Sequence, residues 1–193
     1  MAFLKVAEII PPTSHDLAFS MPLVLLSVYK TENPRFRDVR VTFDVSFVHV
    51  MMYPYEGMGM PALCMQYGCR ASLPGLVSTV QRFHAMGPVF SEVESLTLEN
   101  KTPSGLHKNF KIRADWHELL GLFTKVKTLH VAGGDFIEQL SYYLQPHDGE
   151  SAIELLPMLS VVSCPEGSDI GESCRSFLAA RQDAGYPVTI SHH

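Results

Sequence analysis

The sequence predicts an α/β fold: an irregular solenoid with a mostly parallel sheet and helices on one face. Three observations carry that reading. An apolar register recurs every 33 residues in the second half, where Phe90, Val93, Leu96 and Leu98 return as Phe123, Val126, Leu129 and Val131, and again as Leu156, Leu159, Val162 and Cys164. Each unit is a turn of helix feeding a short strand with alternate apolar residues, and such a unit buries its apolar face only against a neighbour. Between the strands, short acceptor residues followed three positions later by glutamate mark helix starts, and alternating strands and helices favour parallel pairing.

A chain of 193 residues can bury one sizeable core with room for a second small unit. With 46% hydrophobic and 18% charged residues, it is poorer in charge than the roughly 25% of an average soluble domain, which predicts a globular protein with a sticky face. The formal charge of −5, from 20 acidic and 15 basic residues without a Lys/Arg cluster, supplies no attraction to nucleic acid. The longest uncharged apolar stretch near the start, residues 17–29, is interrupted by Pro22 and falls short of the ~20 residues of a membrane span. The first ten residues contain Lys5 and Glu8 and lack the apolar core and cleavage site of a signal peptide. Cys64, Cys69, Cys164 and Cys174 are then expected to be free thiols, and the protein intracellular, cytoplasmic or nuclear.

Residues 1–34 form an irregular N-terminal segment, broken at Pro11-Pro12 and Asn33-Pro34, and residues 35–193 the main domain. Val39, Val41, Phe43, Val45 and Phe47 alternate with Arg40, Thr42, Asp44 and Ser46, predicting one long strand. Beyond Phe47 the phase slips, with His49 in the formerly apolar position, and a bulge or the strand end would absorb the slip. Residues 51–61 read as a turn-rich loop, and residues 62–69 as a second strand that could pair back on the first. Pro74 can open a helix striped by Leu76, Val77, Val80 and Phe83, which Gly87-Pro88 ends. Capping-box spacing at Asp115 and Glu118, Asp135 and Glu138, Ser151 and Glu154, and Asp169 and Glu172 places helices at 116–122, 136–144, 152–156 and 170–183. Losing such a cap costs ~1 kcal/mol. Strands fall at 95–99, 128–131 and 161–164, with a last one at 187–190 after the Gly185 helix stop.

The run from Trp116 to Val131 (WHELLGLFTKVKTLHV) resembles a segment typical of fungal F-box proteins with leucine-rich-repeat-like C-terminal regions. So do residues 153–159 (IELLPML) and the ending 177–190 (FLAARQDAGYPVTI). The closing Ala-Arg-Gln-x-x-Gly-x-Pro-Val-Thr is the most specific of the three, and the resemblance spans residues 35–193. It implies a leucine-rich-repeat-like domain that recruits a protein partner. A period of 33 exceeds the ~20–29 residues of regular leucine-rich repeats, so the implied repeats are irregular, with longer helical returns. The family's F-box docks on the Skp-type adaptor of a ubiquitin ligase. Residues 1–34 are too short and too broken by proline for that three-helix module, which leaves Skp-type adaptor binding without its docking element.

Motifs that imitate chemistry have simpler readings. Gly57-Met58-Gly59 is followed by a strand-like stretch rather than the helix that a dinucleotide fingerprint needs. His117-Glu118 starts like a zinc-protease helix, but Gly121 stands where the second histidine belongs. Cys64 and Cys69 would point to opposite faces of a strand, and Cys164 falls on an inward position of the register. No Gly-x-Ser-x-Gly elbow exists among the 193 residues. No catalytic, cofactor-binding or metal residue is therefore assigned, and no enzyme is expected.

Strand alternation directs Leu96 and Leu98 inward and leaves Ser95, Thr97 and Glu99 outward, with Thr128, His130 and Ser163 equivalent on neighbouring strands. These six form the candidate interaction face toward a protein partner. A candidate interaction loop carries Met51, Tyr53, Tyr55, Met58 and Met60, whose side chains suit either an adaptable binding patch or a cover for an open sheet edge. Two other readings stay open. One is a truncated relative with no independent activity, whose exposed strand edge would self-associate. The other is a small α/β hydrolase, for which Asp135 is the candidate among Asn100, Gly133, Gly134 and Asp135 at the strand ends.

Overall fold

The computed structural model describes residues 36–44, 47–54, 63–68, 87–101, 113–133, 140–145, 151, 153–167 and 174–192. The chain divides into two units, Met1–Pro34 and Arg35–His193, and the described residues belong to the second.

The strands are β1 (Phe36–Phe43), β2 (Phe47–Pro54), β3 (Leu63–Gly68), β4 (Ser95–Asn100), β5 (Thr128–Ala132), β6 (Val161–Cys164) and β7 (Thr189–His192). Between them lie α1 (Gly87–Phe90), α2 (Arg113–Gly121), a helical stretch at 140–144, and α3 (Arg175–Asp183). All seven strands join one mixed sheet in the order β3-β2-β1-β4-β5-β6-β7. The first three pair antiparallel, and the pairs from β1–β4 through β6–β7 are parallel. The short connection after β1 permits a hairpin, whereas each parallel pair needs a crossover.

The 33-residue register becomes stacking. Ser95 pairs with Thr128 and Thr128 with Val161; one residue on, Leu96, Leu129 and Val162 line up in the same way. All twelve register residues are at most 3% exposed, and the Phe90 and Phe123 rings lie 5.1 Å apart. Polar contacts keep the same offset at the surface. Lys125 Nζ reaches Glu92 Oε1 at 2.7 Å, Lys127 Nζ reaches Glu94 Oε1 at 2.9 Å, and Ser160 Oγ donates to the Lys127 carbonyl at 3.1 Å. Trp116, fully buried on α2, lies 5.4 Å from the Phe43 ring and stacks on Tyr143 at 5.5 Å, tying α2 and the 140–144 stretch to β1.

Several local expectations are corrected. The predicted long strand is two: β1 ends at Phe43 and β2 begins at Phe47, so the phase slip marks a reversal of direction and not a bulge within one strand. The second predicted strand, β3, pairs with β2. α2 starts at Arg113, which puts Asp115 in the first turn and not before it; an acidic residue is favoured in both places, so spacing alone does not separate them. Of the helix expected at 152–156, residues 153–156 are not helical. Leu156 has φ +51°, and the following Pro157 disfavours the right-handed helical region for the residue before it. Ser151 instead accepts the Ile153 N–H on its hydroxyl at 3.5 Å. The last strand is Thr189–His192, two residues later than predicted. Residues 74–86 of the helix expected after Pro74 and the acidic pairs at Asp135 and Asp169 lie outside the described residues, whereas Gly87-Pro88, expected to end that helix, is itself helical in α1.

The bent segment at 153–159 is held by α3. Arg181 is fully buried and donates to four carbonyls: Leu155 and Leu156 at 3.3 Å from Nη1, Pro157 at 3.3 Å and Leu159 at 3.1 Å from Nη2. Carbonyls released from helical pairing need such donors when buried.

Candidate functional site

On the face of the sheet opposite the core register, pairing brings outward residues into rows. Arg40 of β1 lies beside Thr97 of β4, Thr97 beside His130 of β5, and His130 beside Ser163 of β6. The row toward the strand starts runs Asp38, Ser95, Thr128, with Tyr53 of β2 opposite Asp38. The row toward the strand ends runs Thr42, Glu99, Ala132. A depression of about 520 Å³ opens over these rows, lined by Ser95, Thr97, Glu99, His130 and Ser163 together with Asp38, Arg40 and Tyr53.

Five of the six residues expected on the interaction face thus share one concavity. Thr128 sits in the row but outside the lining. Ser163 is 5% exposed and borders the depression from β6. The candidate loop is corrected in part: Met51 and Tyr53 are residues of β2, because Met and Tyr fit a pleated strand as well as a loop, and Tyr53 Oη lies 3.8 Å from Met51 Sδ. Tyr55, Met58 and Met60 lie outside the described residues. Sequence reading missed Arg40 and Asp38 as site residues. Alternation along β1 puts them on the polar face, but nothing local places β1 beside β4.

The charges in the depression are not equivalent. Glu99 accepts from Thr42 Oγ1 at 3.1 Å and lies 3.5 Å from Lys101 Nζ. Asp38 and Arg40, two positions apart on the same strand face, make no ion pair among the described residues. A shallow surface of hydroxyls, one imidazole and opposite charges can hydrogen-bond and pair with a ligand.

Away from this face, Cys164 Sγ lies 3.4 Å from His192 Nδ1, a pairing that resembles a thiol with its base. Burial pushes the Cys164 thiol up, opposite to the shift of an activated thiolate. Burial, with the neighbouring Cys164 adding to it, pushes Cys174 up to about 11. Cys64 is exposed on β3. Among the described residues, no three His, Cys, Asp or Glu side chains gather where they could hold a metal ion, and no helix is long and apolar enough to cross a membrane. Asp135 lies outside the described residues.

Compared with known proteins, the chain matches no family model, no curated protein and no solved structure.

Proposed function

We propose that the chain is a protein-interaction module: an irregular leucine-rich-repeat-like solenoid whose open sheet face recruits a polypeptide partner, as in the substrate-recruiting region of the fungal F-box proteins it resembles. The single observation that carries this is the convergence of Ser95, Thr97, Glu99, His130 and Ser163 on one depression. The repeat supports the architectural part, since strands, core residues and surface contacts all return at the same offset. Recognition would run through hydrogen bonds and shape, without bond-making chemistry.

Pull-downs from lysate with wild type, Thr97→Arg and Gln182→Arg test it. Thr97 lines the depression, whereas Gln182 is exposed on α3. Partners retained by Gln182→Arg and lost with Thr97→Arg are the expected result; a partner set indifferent to Thr97→Arg overturns the reading.

A further inference from the structure

We infer that the depression takes an extended peptide segment in which an acidic and a basic side chain, two residues apart, pair with Arg40 and Asp38. This deepens the reading of the sheet face as a recognition surface and rests on it.

The first ground is spacing. Asp38 and Arg40 lie on one face of β1 at positions i and i+2, about 7 Å apart at the rise of a strand. An extended peptide lying along β1 has the same period, so its alternate side chains meet both charges in register. The second ground is availability. Glu99 is already engaged by Thr42 and Lys101, whereas Asp38 and Arg40 make no ion pair among the described residues. The guanidinium fork of Arg40, on an exposed residue, matches a carboxylate through two parallel hydrogen bonds.

The third ground selects among anions. The depression flanks Arg40 with two carboxylates, Asp38 and Glu99, so a phosphate group of about −1.5 to −2 charge is repelled more than a single carboxylate. Size selects a peptide over an isolated ion or amino acid: along the strand direction the lining on β4 runs from Ser95 to Glu99, about 13 Å at a rise of about 3.3 Å per residue. Tyr53 supplies an aromatic wall at one end, and the Thr97 hydroxyl can bond the peptide backbone.

The experiment selects a phage-displayed random eight-residue peptide library on the full chain, on Arg40→Glu and on Thr97→Arg. Wild type is expected to enrich an acid-x-base pattern, and Arg40→Glu to replace the acid with a base; a gain of the opposite charge is not a folding defect. Enrichment without charge pattern, the same pattern on both proteins, or no enrichment overturns the inference. A synthetic peptide from the selected set, compared by fluorescence anisotropy with its phosphoserine counterpart, is expected to bind at least about tenfold more tightly in the carboxylate form; tighter phosphopeptide binding overturns the choice of carboxylate. If the charge pattern fails while Thr97→Arg still abolishes lysate partners, only the peptide chemistry is wrong. If both fail, the recognition face falls with it.

Discussion

Arg181 carries one of the larger individual roles in the described residues, through its own hydrogen bonds and not through function. Removing it strands carbonyls of the 155–159 bend in a dry environment. Each buried acceptor left bare costs about 1–3 kcal/mol, so Arg181→Met is expected to cost about 3 kcal/mol or more in urea unfolding. Arg181→Lys should recover part of that, since an ammonium has three donors but no planar fork. The cysteines make a second residue-level prediction. In a Cys69→Ser chain, maleimide should label Cys64 rapidly and leave Cys164 and Cys174 unreacted until the protein unfolds, as exposure and raised thiol pKa values both require. The sign for pH follows from Cys174: its folded pKa lies near 11 against 9.0 when unperturbed, so the unfolded state loses the proton first. The contribution of Cys174 to stability should be constant below pH 9 and fall as pH rises from 9 through 11, by up to about 3 kcal/mol. Cys174→Ala should flatten that part of a pH series of urea midpoints.

Among elements, the units β4, β5 and β6 were legible because each is short and repeats, and because β4 and β5 alternate cleanly. Their core positions should be costly: Phe123→Ala, at a fully buried site against Phe90, is expected to lose about 3–5 kcal/mol. Lys125→Ala removes an ion pair at the same offset but half exposed on both sides, and should change the unfolding free energy from urea titration by no more than about 0.5 kcal/mol. Gly133 follows β5 at φ +105°, and a Cβ there would stand 3.0 Å from the Asn100 carbonyl oxygen. Gly133→Ala should therefore destabilise by about 1–3 kcal/mol, through backbone strain as well as the close approach. The elements that misled share a cause. Apolar alternation continues through residues 39–47 although the chain turns back after Phe43, and capping spacing at Ser151 precedes a proline that prevents the helix.

At the scale of the whole molecule, the sheet formed by the described residues ends in two edge strands, β3 and β7. β7 is only 4 residues long, and short edge strands resist adding a further chain. Light scattering across concentration is expected to show a monomer in the micromolar range; steady growth in mass with concentration would favour the rival view of a fragment with an open edge. Strand order also decides the candidate site. Thr97, His130 and Ser163 were placed together by their common offset, whereas Arg40 joins them only because β1 inserts its parallel edge beside β4.

The sequence by itself determined what repeats and what alternates: the strands at 95, 128 and 161, their inward residues, and the polar side chains that face away. These follow from local periodicity, because a period of two sorts side chains to opposite faces whatever the partner. Only the tertiary structure decided which strands are neighbours, where β1 turns back, how Arg181 secures the bend at Leu156, and that Asp38, Arg40 and Tyr53 border the same depression. Those features depend on contacts between segments far apart in the chain, for which pattern along the sequence carries no signal.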